Sequence, residues 1–497
     1  MGAKFHPPRV KGRPIVGNIR ELRRDRLAFF LDCARKHGTM VRMKFGPREP
    51  VLISDPALIE QVLVTENRHF VKSRPVQLLQ GALGEGLVTS SGALWLRQRR
   101  LMQPAFHRAQ VEAYAPIIVA LTQQQLAKWR PEQSLDLHAQ MMQLTLAIVA
   151  KTLLDVDMTV DFEKVGGAID VLMEDFVYRL GNLAPIPKWV PTRWNRRVKR
   201  KIAEIDQLIY GIIADRRREP LRSPPFRGGS ASATESRATG SDLLSRMMQS
   251  QDTDANGEGM SDRQLRDEVI TLLSAGHETT ATALAWTWYL IARHPNVEMR
   301  LAAELQTVLG GRAPTAADVP RLQYVEHIVM EAMRLYPPVF AMGRMTKEPC
   351  VIGGFDIPTG TSFLMSQWVS HRDPRYFDSP EEFRPERWAD DRMLQLPKFA
   401  YFPFGGGPRL CIGAPLAMLE AVLIVATVAQ AFRFELAADQ KIELFPCVTL
   451  RPRHGIRAIC RAAATSSPAV FPAVSQAQSP RALPQASVPA SAAAEPR

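Results

Sequence analysis

Apolar residues recur at helical spacing over most of the chain, with short patches of alternation between the helical runs. The segment Thr39-Met40-Val41-Arg42-Met43-Lys44-Phe45 alternates apolar and polar side chains and runs into Gly46-Pro47, which predicts a strand and a turn. Residues 50–54 read as its hairpin partner. Helical spacing predicts helices over 56–65, 93–103, 108–129, 137–154 and 197–217. The longest prediction is 262–293: Ser261 and Gln264 form a capping-box pattern at its start, and Pro295 stops it. At ~1.5 Å per residue such a helix is roughly 48 Å long, enough to cross a whole domain. Apolar residues on several of its faces make it the expected axis of one large core, mainly α with small β-sheets. Two segments fall outside this pattern. Residues 216–241 mix Pro, Gly and Ser with charge and are expected to form a mobile loop, and 464–497 are an Ala/Pro/Ser-rich tail with too little bulk to bury. A single domain is therefore expected over 1–463.

Composition narrows the class. With 46% hydrophobic and 23% charged residues among 497, wholesale disorder and fibrous repeats are excluded. The formal charge of +13 raises nucleic acid or anionic lipid as partners. The basic clusters at 96–100 and 193–201 read as solvated helix faces, and no zinc finger or RNA-recognition signature is present, so no nucleic-acid partner is expected. The five cysteines are odd in number and widely scattered, which excludes a disulfide framework and suits a reducing cytosol. The N-terminal MGAKFHPPRVKGRP has no apolar h-region. Residues 412–432 are long and apolar enough to span a bilayer, but Pro415 and Glu420 favour a buried helix. The expectation is a cytoplasmic monomer without a transmembrane anchor. One segment, 185–194 (PIPKWVPTRW), is amphipathic enough to touch a membrane surface, although a plain loop explains it as well.

The densest chemistry lies in Phe402-Pro403-Phe404-Gly405-Gly406-Gly407-Pro408-Arg409-Leu410-Cys411-Ile412-Gly413. Three glycines before a proline cannot continue a helix; they allow a tight turn that approaches something flat. Cys411 then stands at the mouth of a helix, where free N–H groups and the positive dipole end favour a thiolate. Arg409 adds a positive charge. A buried structural cysteine would explain Cys411 alone, but not Phe404, the glycines and Arg409 in register. The pattern Phe-x-x-Gly-x-Arg-x-Cys-x-Gly arises by chance in a chain of this length on the order of once in a thousand or less. Here the chain resembles the cytochrome P450 family. The resemblance implies the fold of that family, with haem b between the long central helix and the Cys-ligand loop. It makes Cys411 the axial thiolate ligand of the iron and Arg409 a propionate partner, with Phe404 against the cofactor.

Ala275-Gly276-His277-Glu278-Thr279-Thr280-Ala281-Thr282 breaks helix propensity in the middle of the longest helix, as expected where function demands it. Small Ala275 and Gly276 leave room beside a cofactor face, and a Thr hydroxyl can bond back to the carbonyl one turn earlier. A helix kink with a surface Glu is the bland alternative. The segment is similar to the family's acid–alcohol motif, which implies that Thr279 stabilises activated oxygen and that Glu278 feeds the protons for O–O cleavage. His277 is expected to face away from the haem. The resemblance also implies that Glu331, Arg334 and Arg387 form a buried structural network, and that Trp95, Arg99 and Arg344 hold the propionates. Glu331-x-x-Arg334 would otherwise read as a weak surface pair.

The function so implied is a haem-thiolate monooxygenase that inserts one atom of O2 into a hydrophobic small molecule: a terpenoid, polyketide or fatty acid. No flavin or nicotinamide fingerprint follows the fold, so electrons are expected from a separate ferredoxin or flavodoxin and its reductase. Leu79, Leu83, Val339, Phe340 and Met342 are the expected substrate-facing walls. A haem carrier without turnover and a cysteine hydrolase are the alternatives. The first has no use for the Glu278–Thr279 pair, and the second lacks a His base near Cys411 in sequence.

Overall fold

The structure is a computed structural model that describes residues 7–156, 162–182, 185–218, 242–250, 259–390 and 392–463. Most of the expected mobile loop and the whole expected tail lie outside the described residues; Arg216 to Arg218, assigned to that loop above, instead complete the helix Arg193–Arg218.

Asp262–Arg293 forms the central helix as predicted, with both halves of the Ser261/Gln264 capping box made. It is buried on nearly every face, Trp286 and Trp288 included, so it is an axis rather than an amphipathic surface helix. Its closest neighbour is the helix Leu137–Leu154. The Thr145 hydroxyl donates to the His277 carbonyl at 2.9 Å, and a Cβ at Gly276 would meet Val149 at 2.9 Å. Glycine at 276 is thus required by helix–helix contact as well as by the open space it borders. At the far end, Trp286 stacks on Tyr336 at 4.3 Å and donates to the Leu450 carbonyl at 2.7 Å.

The predicted hairpin is present as Met40–Arg42 paired antiparallel with Val51–Ile53. It joins a five-stranded sheet completed by Ser362–Met365, Met342–Thr346 and Phe70–Lys72, in that order. The last pairing puts Lys72 directly opposite Arg344. Like charges opposed across a sheet destabilise it unless something between them compensates.

Two helices differ from the expectation. Residues 108–129 split into Arg108–Ala113 and Ala115–Leu126, because Pro116 has no N–H to continue the ladder and starts a new helix instead. Residues 56–65 begin as an α-helix, Pro56–Glu60, and widen to a π-turn, Gln61–Thr65. The helix Ala414–Ala431 has the length and apolarity of a membrane span, but Leu419 to Val428 are buried within the fold. Thr427 is the only hydroxyl in that buried run and donates its proton to the Leu423 carbonyl at 2.7 Å.

Candidate functional site

The loop that carries Cys411 is fixed from behind by a buried charge network. Glu331 and Arg334 have no accessible side-chain surface and meet in a fork, with Nε and Nη2 of Arg334 each 2.8 Å from a Glu331 oxygen. Arg387 Nε and Trp388 Nε1 reach the same carboxylate at 3.1 Å each, and the Arg384 amide at 3.0 Å. Arg334 donates onward to the carbonyls of His371, Pro380 and Glu382. The imidazole of His371 in turn accepts the Phe402 N–H at 2.9 Å. A chain of satisfied bonds therefore runs from the Glu331 helix to the first residue of the loop.

Within the loop, Gly407 has φ +68°, and a Cβ there would lie 1.9 Å from the Leu63 carbonyl oxygen. A Cβ at Gly406 would strike the Phe399 ring at 2.2 Å. The glycine run thus makes the tight turn expected of it and lies against protein groups, the Leu63 carbonyl and the flat Phe399 ring. The Cys411 N–H donates to the Phe404 carbonyl at 3.1 Å, closing the loop. Burial raises the Cys411 thiol above its ordinary range; the N–H groups of Gly413 and Ala414 and the charge of Arg99 work against that rise. The helpful charge is therefore Arg99, where the sequence pointed to Arg409.

A cavity of about 1320 Å³ opens beside this loop. Cys411, Phe404 and Arg409 line it from the loop, and Ala275, Gly276 and Thr279 from the central helix. Ala275 is accessible although it lies mid-helix, because it faces this space. The Thr279 hydroxyl donates to the Ala275 carbonyl at 2.7 Å, the back-bond expected for a mid-helix Thr. Glu278 is not a lining residue. It is buried behind the wall, where it accepts from the Thr449 hydroxyl and from Arg451 Nε at 2.8 Å; Arg451 also pairs with Asp170 at 3.3 Å. His277 is buried too, its Nδ1 2.9 Å from the Leu273 carbonyl, and it does not line the cavity.

Trp95, Arg99 and Arg344 line the same cavity as Arg409, and the Arg409 guanidinium lies 4.4 Å above the Trp95 ring. The hydrogen bonds these arginines make within the protein go to carbonyl oxygens: Arg99 to Leu410 at 2.9 Å, Arg344 to Gly343 at 3.0 Å, Arg409 to Ser90 at 3.4 Å. Lys72 joins them, with Nζ on the Leu87 carbonyl at 2.6 Å. Burial and the charge of Arg409 push Arg344 down to about 10; burial, Arg409 and Arg344 push Lys72 down to about 6. Three guanidinium groups and the Lys72 amine held together, with no carboxylate bonded to them among the described residues, have the chemistry to accept a multiply charged anion.

The outer walls are mostly apolar, with Leu79, Leu87, Val339, Phe340 and Met342 all contributing. Leu83, also expected there, is buried in the adjoining core and does not line the space, since the helix Arg74–Leu83 ends against Asp267 just beyond the wall. Lys72, Asp267, Glu268 and Arg451 were not singled out from sequence. Lys72 carried a signal, a lysine inside an otherwise apolar three-residue strand; the others acquire meaning only from their partners.

The chemistry of this wall fits a haem. It offers one sulfur donor on a rigid loop, a small-residue helix face, and cations for the two carboxylates of a porphyrin. Comparison with known proteins agrees. Residues 7–457 match the family model for cytochrome P450. The chain is 35% identical to cyclooctatin synthase of Streptomyces melanosporofaciens, over 88% of this chain and 92% of that one. It is 35% identical to cyclooctat-9-en-7-ol 5-monooxygenase of the same organism, over 84% and 87%. Against pentalenene oxygenase of Streptomyces avermitilis it is 31% identical, over 89% and 94%. With the signature loop, the fold and these relatives in agreement, the chain belongs to the cytochrome P450 family and is a monooxygenase.

Proposed function

We propose that this monooxygenase oxidises a terpenoid of mostly hydrocarbon character in the cytoplasm, using haem b ligated by Cys411, O2, and electrons from a ferredoxin or flavodoxin with its reductase. The carrying observation is that Cys411, the Ala275–Thr279 face and the Arg99/Arg344/Arg409 cluster line one cavity whose remaining walls are mostly apolar. The names of the Streptomyces relatives, among them a monooxygenase of cyclooctat-9-en-7-ol and a pentalenene oxygenase, favour a terpenoid over a polyketide or fatty acid.

When bound, the iron porphyrin supplies oxygen activation and one-electron chemistry that no side chain offers. The chain's own residues do the rest. Cys411 presents its sulfur from a loop that the Glu331 network and Leu63 keep from moving. Arg99, Arg344 and Arg409 take the carboxylates and so fix the orientation of the ring. The Thr279 hydroxyl donates its hydrogen bond to the Ala275 carbonyl, which leaves its oxygen free to accept a hydrogen bond from the cavity side. Glu278 is held by Thr449 and Arg451 behind the wall, so its carboxylate must leave Arg451 to pass a proton toward Thr279. Asp170, paired with Arg451 and half exposed, offers the other end of that route to solvent. The apolar walls orient the substrate and exclude bulk water.

The test is turnover of the holoenzyme with a surrogate electron-transfer pair, 18O2 and a panel of cyclic terpenes. A product carrying a single 18O atom is expected from at least one terpene. If polyketides or fatty acids are oxidised and no terpene is, the substrate assignment is wrong.

A further inference from the structure

The segment Gly84–Ser90 forms part of the cavity wall through Leu87 and Val88, yet it belongs to no helix or strand. A segment without secondary structure must find partners for its own N–H and C=O groups; the N–H groups of Gly84, Thr89 and Ser90 go to backbone carbonyls, and those of Glu85 and Leu87 to side chains. The Glu85 N–H donates to Asp267 Oδ2 at 2.8 Å, and the Leu87 N–H to Glu268 Oε2 at 2.9 Å. The Leu87 carbonyl accepts from Lys72 Nζ at 2.6 Å, and the Glu85 carbonyl from Gln98 Nε2 at 2.6 Å. Two glycines permit this close approach to the central helix: a Cβ at Gly84 would lie 2.1 Å from the Asp267 carboxylate, and one at Gly86 would lie 2.2 Å from the Thr271 hydroxyl.

Leu87 is therefore held at both of its polar groups by two buried ionisable side chains, Glu268 and Lys72. Glu268 has no accessible surface, and its second oxygen has no hydrogen-bond partner among the described residues. An unpaired buried acceptor costs stability, so the placement of Glu268 is not explained by stability alone. Lys72 also belongs to a second system. It opposes Arg344 across the sheet, and the charges of Arg344 and Arg409 act on it. An anion bound by those arginines relieves the repulsion, favours the protonated form of the Lys72 amine and strengthens its hold on the Leu87 carbonyl.

We propose that Lys72 and Glu268 are positioning residues that pin Gly84–Ser90 as a lid on the cavity, and that Lys72 ties the lid to the anion bound by Arg344 and Arg409. The lid would then be firm only on a cofactor-loaded protein, which matches wall formation to the presence of the catalytic group. This inference rests on the reading of the arginine cluster as the seat of the cofactor's carboxylates.

The experiment is hydrogen exchange by mass spectrometry on the haem-loaded full chain, read at the peptide containing Glu85 and Leu87, with the rate of imidazole binding to the ferric protein as a second readout. Lys72→Met should speed exchange of that peptide by about tenfold, the loss of one charged hydrogen bond, and speed imidazole entry, while amides of the Leu137–Leu154 helix stay unchanged. Glu268→Gln keeps an acceptor for the Leu87 N–H and should change exchange by less than Lys72→Met. Arg344→Gln should loosen the lid in the parent but add nothing in the Lys72→Met background, because both act through the same amine. Wild-type exchange in Lys72→Met, or full additivity of the two substitutions, overturns the proposal. Failure of the wild-type chain to take up haem would instead sink the function proposed above.

Discussion

Two clusters of charge flank the Cys411 loop, and they are built on opposite plans. Behind the loop, Glu331 and Asp378 together neutralise Arg334 and Arg387, Asp378 lying 2.7 Å from Arg387 Nη1, and the Arg334 guanidinium bonds three further carbonyls. On the cavity side, Lys72, Arg344 and Arg409 repel one another, and these three and Arg99 hydrogen-bond, among the described residues, to carbonyls alone. The closed cluster completes itself and serves the fold. The open cluster lacks such a counter-charge, and in the proposed function the cofactor's carboxylates would supply it. Whether the charges of a buried network sum to neutrality separates a structural site from a binding site here better than burial or residue type does.

The comparison breaks most visibly at Glu331. Glu331→Gln removes the charge shared by two buried arginines and should cost about 3–5 kcal/mol, with loss of haem incorporation, measured by denaturant unfolding and by pigment content. Lys72→Met should act in the other direction. The fold depresses Lys72 from 10.5 to about 6, so between those pH values the unfolded chain binds a proton that the folded chain does not. In cofactor-free protein, wild-type stability should rise with pH from 6 to 10.5 by an amount on the order of a few kcal/mol, and urea unfolding of Lys72→Met should lack that slope. Arg344→Met should raise the stability of the cofactor-free protein by about 1 kcal/mol through relief of repulsion, while speeding haem loss to an acceptor such as apomyoglobin. Equal destabilisation by Arg344→Met and Glu331→Gln would erase the distinction between the two clusters. The smallest effect on the fold is expected at Thr279→Ala: stability within about 0.5 kcal/mol, with a lower ratio of product formed to electrons consumed.

Much of this was legible in the sequence because it is local. The capping box at Ser261, the stop at Pro295 and the propensity break at Ala275–Thr282 each act within a few residues, and the central helix emerges with the expected limits. The Cys411 loop was legible because its residue types are fixed by backbone geometry, although the partners of its glycines, Leu63 and Phe399, were not. What escaped was long-range. Lys72 gains its role from the register that sets it opposite Arg344, more than 270 positions away in the chain. Glu278 has the expected position on the helix, but its tether to Arg451 depends on a hairpin late in the chain. Leu79 and Leu83 share one helix face; whether the cavity reaches both depends on where Gly84 turns against Asp267, which periodicity does not reveal.

The most direct test of the account is the absorption spectrum of the reduced, haem-loaded protein under carbon monoxide. Thiolate ligation by Cys411 predicts a Soret band displaced strongly to the red of that of an imidazole-ligated haem, and its disappearance in Cys411→His. A folded, fully loaded wild-type protein whose band stands at the imidazole-type position would contradict the assignment of Cys411, and with it the reading of the cavity.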